Sequence, residues 1–361
     1  MQFRFQFRRY RLPLRVAVRT AHGPWAERKG VVVRLEDEDG AVGYGEAAVI
    51  PWFGTETADE AEAVCRELGA TIDDARLASV PARMGCLRNA IASARLEVGQ
   101  VSDLPPTTRR EKGQVKDLTY LSVAAFLPAG QAALAEIAPK AEAGFRVFKW
   151  KVGVGDAADE RVLLDDVCAA LPSGAKLRLD ANGAWDRRTA ERWLECCAER
   201  PVEFVEQPCF APPGGASQGT ALLKRCEDLL RGLAESFPTP IALDESLVGE
   251  GDVERWLAAG WRGIFVIKPS LLGDAAAVLA KLAPAKADVV FSSALETAVG
   301  ARAALRLAFA WTPPTGTARA LGFGVWPLFV DGRFDGPRAA AFLRAEDVAR
   351  LDPEAVWNAL N

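Results

Sequence analysis

The feature that most constrains the fold is a regular alternation of short apolar strands with helical segments between residues 118 and 322. Short strands that alternate with helices are typical of parallel sheets, and this many units suffice to close such a sheet into a barrel. The strands are predicted at 120–126, 145–152, 176–180, 202–206, 240–244, 263–268 and 288–292, with a weaker one near 318–322. We therefore predict an α/β fold: a modified TIM-type (β/α)7β barrel over 118–322.

Residues 1–117 have a different pattern, which indicates a separate α+β domain with a linker; we name it the capping domain. Apolar residues alternate with polar ones from Phe3, and two further strands flank Asp39-Gly40, a hairpin signal. Helical patterns follow, and the Pro-rich, charged stretch 101–117 is typical of a linker. The C-terminal segment 323–361 has no strand–helix unit of its own and is predicted to return to the capping domain.

Two aromatic stretches of the capping domain are predicted to be loops. Residues 20–29 are polar apart from Trp25 and are interpreted as a mobile flap, and residues 51–54 as a second, exposed aromatic loop.

Composition excludes several classes of function. A net charge of −4 gives no electrostatic reason to expect nucleic acid or an anionic membrane as a partner. The first residues lack the apolar core of a signal peptide, and no run reaches the ~18 apolar residues of a membrane span. Seven scattered cysteines without a Cys-x-x-Cys pair indicate reduced thiols in a cytoplasm. A small-molecule substrate is the expected partner, and the oligomeric state stays open between a monomer and a small homo-oligomer.

The chain contains one histidine, His22. Zinc sites built from several histidines are therefore excluded, and a Ser-His-Asp triad would have to use this residue. Acid–base chemistry is expected to depend on lysines and carboxylates instead.

The strand at 145–152 carries two lysines, Lys149 and Lys151, on one face, while Phe148, Trp150 and Val152 form the other. Two buried ammonium groups repel each other, and burial disfavours their charge, so both effects lower a lysine pKa from about 10.4. Such a lysine can act as a general base near neutral pH. Lysines that reach solvent from a strand end are the alternative, and the spacing alone does not choose between the two.

Charged residues stand at the carboxyl ends of the predicted strands, where the active site of a barrel lies. In order they are Lys151, Asp180, Glu206, Asp244 and Lys268, and the uncharged polar pair Ser292-Ser293 ends the next strand. Three acids on neighbouring strands suit one divalent cation, Mg²⁺ or Mn²⁺ as its substitute. The two lysines would face each other across the barrel, an arrangement suited to removing an α-proton and stabilising the enolate.

Each of these residues also has a purely structural interpretation. A single acid at a strand end is more often a helix cap or an ion-pair partner, and Asn182 could simply form an Asx turn. Glu245 is expected to point away from Asp244 and to serve a neighbouring lysine, and His22 is as readily a loop residue as a substrate contact. The ordered series of lysine, three acids and lysine, one at each strand end, favours a site.

The motif Lys149-Trp-Lys151, followed by Asp180, Glu206, Asp244 and Lys268, resembles that of the enolase superfamily and its muconate-lactonizing subgroup. The second half of the chain lacks the histidine that the mandelate-racemase-like subgroup requires. Several stretches are similar to the o-succinylbenzoate synthase family, namely 123–130, 148–153, 177–185 and 292–296. That resemblance implies a hydro-lyase that converts 2-succinyl-6-hydroxy-2,4-cyclohexadiene-1-carboxylate to o-succinylbenzoate in menaquinone or phylloquinone biosynthesis.

The resemblance also implies roles for individual residues. Lys151 would remove the α-proton, Lys268 would stabilise the enolate, and Lys149 would help to hold the substrate carboxylate. The remaining roles are Mg²⁺ binding by Asp180, Glu206 and Asp244, and substrate binding by Asn182, Ser292, Ser293 and Trp25. The stretches 20–29 and 51–54 would close over the succinyl tail.

Racemases and epimerases of the same superfamily share these lysines and acids. Dipeptide epimerases carry an Asp-x-Asp stretch after the last strand, whereas residues 317–324 contain no acid. This difference favours a synthase over a dipeptide epimerase and leaves an N-succinylamino acid racemase open. A barrel kept only as a scaffold would be expected to lack one of the lysines or acids, and none is missing.

Overall fold

The structure is a computed structural model that describes residues 2–20, 23–99, 120–210 and 219–360. Its N-terminal part is a four-stranded antiparallel sheet in the order β3-β2-β1-β4. The strands are β1 (Gln2–Thr20), β2 (Gly23–Glu36), β3 (Val42–Ala47) and β4 (Thr71–Asp73). A 3-10 turn (Pro51–Phe53) and three helices accompany this sheet: α1 (Ala58–Leu68), α2 (Asp74–Ala78) and α3 (Gly85–Val98).

The predicted turn at Asp39-Gly40 is confirmed. Gly40 has a φ of +83°, which an L-residue rarely adopts, and its N–H donates to the carbonyl of Asp37 at 3.2 Å. Across this turn Glu36 pairs with Val42, so the flanking strands form a hairpin.

The prediction of a loop at 20–29 is wrong for the described residues of that stretch, which lie in β1 and β2, whereas mobility of the stretch stays a prediction. β1 and β2 form one long hairpin through it, in which Trp25 pairs with Val18. The polar residues that suggested a loop lie along the paired strands, where Glu27 accepts a 2.7 Å hydrogen bond from Arg11. Backbone pairing satisfies the strand's polar groups, so a polar sequence can still be extended here. Residues 21 and 22, and so His22, lie outside the described residues.

A seven-stranded parallel sheet forms the barrel, in the order β6 to β12 around the ring. The strands are β6 (Ala125–Leu127), β7 (Val147–Lys151), β8 (Lys176–Asp180), β9 (Val202–Glu206), β10 (Ile241–Leu243), β11 (Ile264–Ile267) and β12 (Asp288–Phe291). Each is followed by a helix: α4 (Ala132–Glu142), α5 (Ala157–Ala170), α6 (Arg187–Cys197), α7 (Gly219–Ser236), α8 (Glu250–Ala258), α9 (Ala275–Leu282) and α10 (Ala298–Ala310).

Residues 321–322 close the barrel, as the weak strand near 318–322 predicted. Gly322 N donates to Phe291 O and Leu321 N donates to Ser122 O, both at 2.8 Å. Parallel bridges accompany these hydrogen bonds on both sides of the closing segment. The predicted α/β barrel with a capping domain is therefore confirmed.

The predicted strand 120–126 is in fact two strands. β5 (Tyr120–Ser122) pairs antiparallel with β13 (Phe342–Arg344), and only β6 belongs to the barrel. Between the barrel and the C-terminus lie a 3-10 turn (Gly332–Phe334) and the helices α11 (Ala345–Ala349) and α12 (Pro353–Ala359).

The two faces of the barrel strands differ in chemistry. Outward side chains such as Phe148 and Trp150 are fully buried under the helices, and the Trp150 ring lies 6.4 Å from that of Trp193 on α6. Inside the barrel a small apolar cluster comprises Phe204, Ala242, Ile264, Val266 and Val290. The charged strand ends lie beyond this cluster, at the carboxyl edge of the sheet.

The C-terminal segment contacts the N-terminal sheet. Arg8 donates to Leu360 O at 2.6 Å, and its guanidinium lies 4.5 Å from the centre of the Trp357 ring. The domain boundaries themselves stay a prediction, and the expected linker 101–117 lies outside the described residues. Within the described ranges, no helix is both long enough and apolar enough to cross a membrane.

Candidate active site

Strand β7 presents both Lys149 and Lys151 on the inner face of the barrel, as the alternation predicted. Nζ of Lys149 lies 2.8 Å from Oδ2 of Asp180 and 2.7 Å from Oε1 of Glu206. Lys151 pairs in register with Asp180 on the neighbouring strand. The first lysine of the motif is therefore an ion-pair partner of two acids.

The expectation of a lowered pKa is wrong for Lys149. Burial on its own would lower the pKa of Lys149, but the charges of Asp180, Glu206 and Asp244 raise it above the ordinary lysine value. The neighbouring acids therefore favour the charged form of Lys149. The acids on the following strands outweigh the repulsion between the two lysines, and the sequence does not give their distances from Lys149.

Three acids end the three neighbouring strands β8, β9 and β10. Asp180 pairs in register with Glu206, and Asp244 comes directly after β10. All three are buried, with 6 %, 2 % and 4 % of their surfaces exposed. Burial would raise the pKa of Asp180, but the ammonium groups of Lys149, Lys151 and Lys268 lower it below its usual value. The acids and the lysines therefore form one electrostatic cluster.

Gln207 fixes the position of Asp244 relative to Glu206. Its Oε1 accepts hydrogen bonds from the backbone N–H groups of Asp244 at 3.0 Å and Ser246 at 3.2 Å. Its Nε2 donates to the Ser246 hydroxyl at 2.9 Å. The residue is fully buried and has a φ of +39°. Sequence reasoning missed this role, because the partners of Gln207 lie on the next strand.

Lys268 follows β11, which is four strands from β7 in the sheet order and so lies across the ring from Lys151. Lys268 forms an ion pair with Asp244. Burial opposes its charge, but Asp244, Glu245 and Glu206 raise the pKa of Lys268 above the ordinary value. Its Nζ also lies 4.9 Å from the centre of the Phe53 ring, a contact supplied by the capping domain.

The donor set fits a divalent cation, although the acids are not gathered around one. Among the described residues, no group of three or more His, Cys, Asp or Glu side chains is arranged to hold a metal ion as it stands. Lys149 and Lys268 hold the acids in ion pairs instead. Burial and the charge of Asp180 raise the pKa of Glu206 well above its ordinary value, so the cluster favours added positive charge.

Two buried oxygens at this cluster have no hydrogen-bond partner among the described residues: Oδ1 of Asn182 and Oε2 of Glu245. The other halves of these side chains bind each other, because Asn182 Nδ2 donates to Glu245 Oε1 at 3.0 Å. Glu245 was expected to serve a lysine, and its hydrogen-bond partner here is Asn182. Buried oxygens without donors beside three acids are consistent with a cation or its water ligands.

The predicted pocket residues are placed differently from one another. Ser292 directly follows β12, and its hydroxyl donates to Gly322 O at 3.4 Å, on the closing segment of the barrel. The hydroxyl of Ser293 donates to Glu296 at 3.0 Å and accepts from Leu295 N at 2.9 Å, so it is engaged within its own loop. Trp25 lies on β2, where its ring meets that of Trp52 edge to face at 4.6 Å.

Arg28 ties the capping domain to the loop after β12. Its buried guanidinium donates to Leu295 O at 2.9 Å and Ala294 O at 3.3 Å, as well as to Val49 O within the cap. Leu295 has a φ of +58°, so this contact holds a strained loop. No sequence pattern marks this role of Arg28.

Two further residues near the site were not predicted. Phe126 pairs with Lys149 in register and so faces the barrel interior, where 46 % of its surface is exposed. Glu160 accepts hydrogen bonds from the backbone of Gly153, Val154 and Gly155, directly after the strand that carries Lys151. For Phe126 the possible sequence signal was a large apolar residue on the predicted strand that neighbours the strand of Lys149. The role of Glu160 is visible only in the three-dimensional structure.

Two family models match the chain. The model described as Enolase C-terminal domain-like matches residues 132–326, and the one described as MenC, N-terminal domain matches residues 3–82. The first spans the barrel units from α4 onward and contains all the lysines and acids of the site.

Curated and solved relatives agree with these matches. An o-succinylbenzoate synthase from Thermosynechococcus vestitus is 40 % identical over 327 residues, which are 89 % of this chain and 92 % of that protein. The structure of o-succinylbenzoate synthase from Thermosynechococcus elongatus, complexed with Mg in the active site, is 36 % identical, with a TM-score of 0.77, over 99 % of this chain and 100 % of that one. An L-Ala-D/L-Glu epimerase from Bacillus subtilis has a TM-score of 0.76 over 94 % and 95 % of the two chains but only 21 % identity, so it shares the fold.

Proposed function

Because this chain belongs to the o-succinylbenzoate synthase family of the enolase superfamily, we propose that it dehydrates 2-succinyl-6-hydroxy-2,4-cyclohexadiene-1-carboxylate to o-succinylbenzoate. This is a hydro-lyase reaction, which cleaves a carbon–oxygen bond, on the route to menaquinone or phylloquinone. The observation that carries the proposal is the buried cluster of three acids, with Lys149 and Lys151 on one side of the barrel and Lys268 on the other.

Asp180, Glu206 and Asp244 would hold Mg²⁺, the ion that the solved synthase contains in its active site. When bound, Mg²⁺ supplies positive charge beside the substrate carboxylate, where negative charge develops as the α-proton leaves. The partnerless oxygens of Asn182 and Glu245 support this assignment, since they leave acceptors for the ion's water ligands.

The lysines would divide the remaining work. Lys151 takes the α-proton from the substrate and passes a proton to the departing hydroxyl, which leaves as water. Lys268 lies across the barrel and holds the negative charge of the enolate from the opposite face. Lys149, kept cationic by its surroundings, orients the substrate carboxylate.

The substrate pocket would be formed by Asn182, Ser292, Ser293 and Trp25. Ser292 is supported by its place at the end of β12, and Asn182 by its partnerless oxygen. Ser293 would shape the loop that lines the pocket, because its hydroxyl already donates a hydrogen bond to Glu296. The hairpin that contains Trp25 and the turn 51–53 would form the wall of the pocket around the succinyl tail. The packing of the Trp25 ring against the Trp52 ring supports this, because it holds the hairpin and the turn together.

The cytoplasm is the compartment that we assign to this reaction. In the part of the chain that the structure describes, none of the seven cysteines forms a disulfide, as expected for a reducing compartment.

The test is turnover of the cyclohexadiene substrate by purified protein with Mg²⁺, with aromatisation followed by absorbance and EDTA as the metal-free control. N-succinylamino acids are incubated in parallel in D₂O, and α-proton exchange is measured by NMR. Efficient aromatisation with slow exchange is expected. Fast exchange without aromatisation would overturn the synthase and leave the N-succinylamino acid racemase, which uses the same lysines.

A further inference from the structure

The capping domain touches one of the active-site lysines directly. The Phe53 ring centre lies 4.9 Å from Nζ of Lys268, within the range of a cation–π interaction. The same ammonium group is paired with Asp244. Lys268 therefore has one partner from the barrel and one from the cap.

The turn that contains Phe53 is held by hydrogen bonds and by aromatic packing. Phe53 N donates to Ile50 O at 2.9 Å, and Ile50 N donates to the Thr55 hydroxyl at 2.8 Å. The neighbouring Trp52 ring stands edge to face with Trp25 on β2. Phe53 itself packs against the apolar core of the cap. The prediction of an exposed aromatic loop at 51–54 is therefore wrong. The stretch contains a 3-10 turn whose two aromatic residues are partly buried.

The ion pair between Lys268 and Asp244 should weaken once a cation is bound. Asp244 is one of the three acids that suit Mg²⁺, and a carboxylate drawn to a divalent ion attracts a lysine less. A long lysine side chain released from its ion pair regains rotamer freedom, which favours many positions over one. The Phe53 ring remains, because it belongs to the other domain and has no part in metal binding.

We propose that Phe53 is a positioning residue for Lys268, whose ring face keeps the ammonium group at the mouth of the barrel when Asp244 binds the cation. This inference rests on the proposed function, because it concerns how Lys268 is held for that reaction. It makes the docked cap part of the catalytic geometry: Lys268 is placed only while the turn 51–53 sits on the barrel. Residues far from β11 in the chain therefore control the lysine that faces the substrate.

The test compares Phe53→Leu, which removes the aromatic face, with Phe53→Tyr, which keeps it. Phe7→Leu is the matched control, since Phe7 packs against the same apolar core of the cap. With saturating Mg²⁺, Phe53→Leu is expected to lower kcat about 2- to 30-fold, the range that corresponds to a cation–π interaction, with KM changed less than twofold. Phe53→Tyr should lose less kcat than Phe53→Leu, because it keeps the aromatic face, and Phe7→Leu should retain the wild-type kcat.

A second readout does not depend on turnover. The acetylation rate of Lys268 by acetic anhydride is measured by peptide mass spectrometry, with the exposed Lys281 as internal reference, in EDTA and in Mg²⁺. Phe53→Leu should raise the rate at Lys268 relative to wild type, most in Mg²⁺, while Phe53→Tyr and Phe7→Leu should not. Equal loss of kcat in both Phe53 variants, or an unchanged Lys268 rate in Phe53→Leu, would overturn the proposal. A wild type that fails to aromatise the substrate would refute the proposed function, and the acetylation rates would still decide the role of Phe53.

Discussion

Nζ of Lys149 lies 2.7 Å from Oε1 of Glu206, and the exposed fractions of the two side chains are 14 % and 2 %. The acid and its counter-charge are thus both buried. Because Asp180 is bound by the same ammonium group, one lysine lies against two acids. The stability of the folded protein should therefore depend on Lys149.

Lys149→Met is expected to destabilise the metal-free protein by about 3–5 kcal/mol, because it leaves two buried acids without their shared partner. Mg²⁺ should restore more stability to this variant than it adds to the wild type, since the ion supplies the missing charge. The free energy of unfolding is measured by urea denaturation in EDTA and in Mg²⁺.

Lys281→Met serves as the control for that experiment. Lys281 pairs with Glu254 on the surface, where about half of each side chain is exposed. Its loss should cost about 0–1 kcal/mol, with or without Mg²⁺. If the two variants lost equal stability in EDTA, Lys149 would not be the main counter-charge of the acids.

Lys151→Ala is expected to lower the rate of dehydration by about 10²- to 10⁴-fold, the usual contribution of a general base. Its affinity for Mg²⁺, measured by calorimetry, should stay close to that of the wild type, because the three acids are intact. Lys268→Ala should also lose most activity, since one face of the enolate loses its counter-charge. Lost Mg²⁺ binding with residual turnover in Lys151→Ala would contradict the assignment of Lys151 as the base.

The barrel could be predicted closely because its strands and helices are set by local patterns. β8 and β9 begin and end where the sequence predicted, at 176–180 and 202–206. The order of charged strand ends was predictable for the same reason, since successive parallel strands end at one edge of the sheet. Each of these inferences needs only the pattern within one segment, together with the rule that strands alternating with helices form a parallel sheet.

The errors came from contacts between distant segments. The pKa of Lys149 is raised because Asp180 and Glu206 approach it from two other strands. The stretch 20–29 is extended because β1 pairs with it over a long hairpin, and a polar composition does not reveal such pairing. Arg28 acts on carbonyl groups more than 260 positions away in the chain, and no side-chain pattern marks the residues it binds.

Glu160→Ala is expected to lower kcat about tenfold with little change in KM. A decrease of this size is typical when a residue that holds a functional group from behind is removed. The carboxylate of Glu160 accepts from Gly153 N at 2.7 Å and from the next two backbone N–H groups, so it shapes the loop after Lys151. Gly153 has a φ of +75°, which makes this support important. Asp159→Asn, next to it on the first turn of α5, is the control and should retain kcat. Wild-type kcat in Glu160→Ala would show that the loop holds Lys151 in place unaided.

Glu296 should make stability depend on pH. Burial, followed by the charge of Glu46, raises the pKa of Glu296 to about 7, and its Oε1 has no hydrogen-bond partner. The folded protein therefore binds a proton at Glu296 that the unfolded chain, with an ordinary glutamate, has largely lost by pH 5–6. A group with a raised pKa in the folded state contributes stability at low pH and loses it as pH rises through that value.

Glu296→Gln should remove this dependence, because the amide keeps the shape of the protonated acid and does not titrate. Between pH 5 and pH 8 the wild type is expected to lose on the order of 2–3 kcal/mol through Glu296, and the variant should lose that much less. The free energy of unfolding is measured by urea denaturation at both pH values, and Glu346→Gln, an exposed glutamate on α11, is the control. Parallel pH dependences in the wild type and Glu296→Gln would show that Glu296 is ionised in the folded protein throughout this range, with its charge accommodated by the loop that contains Ser293.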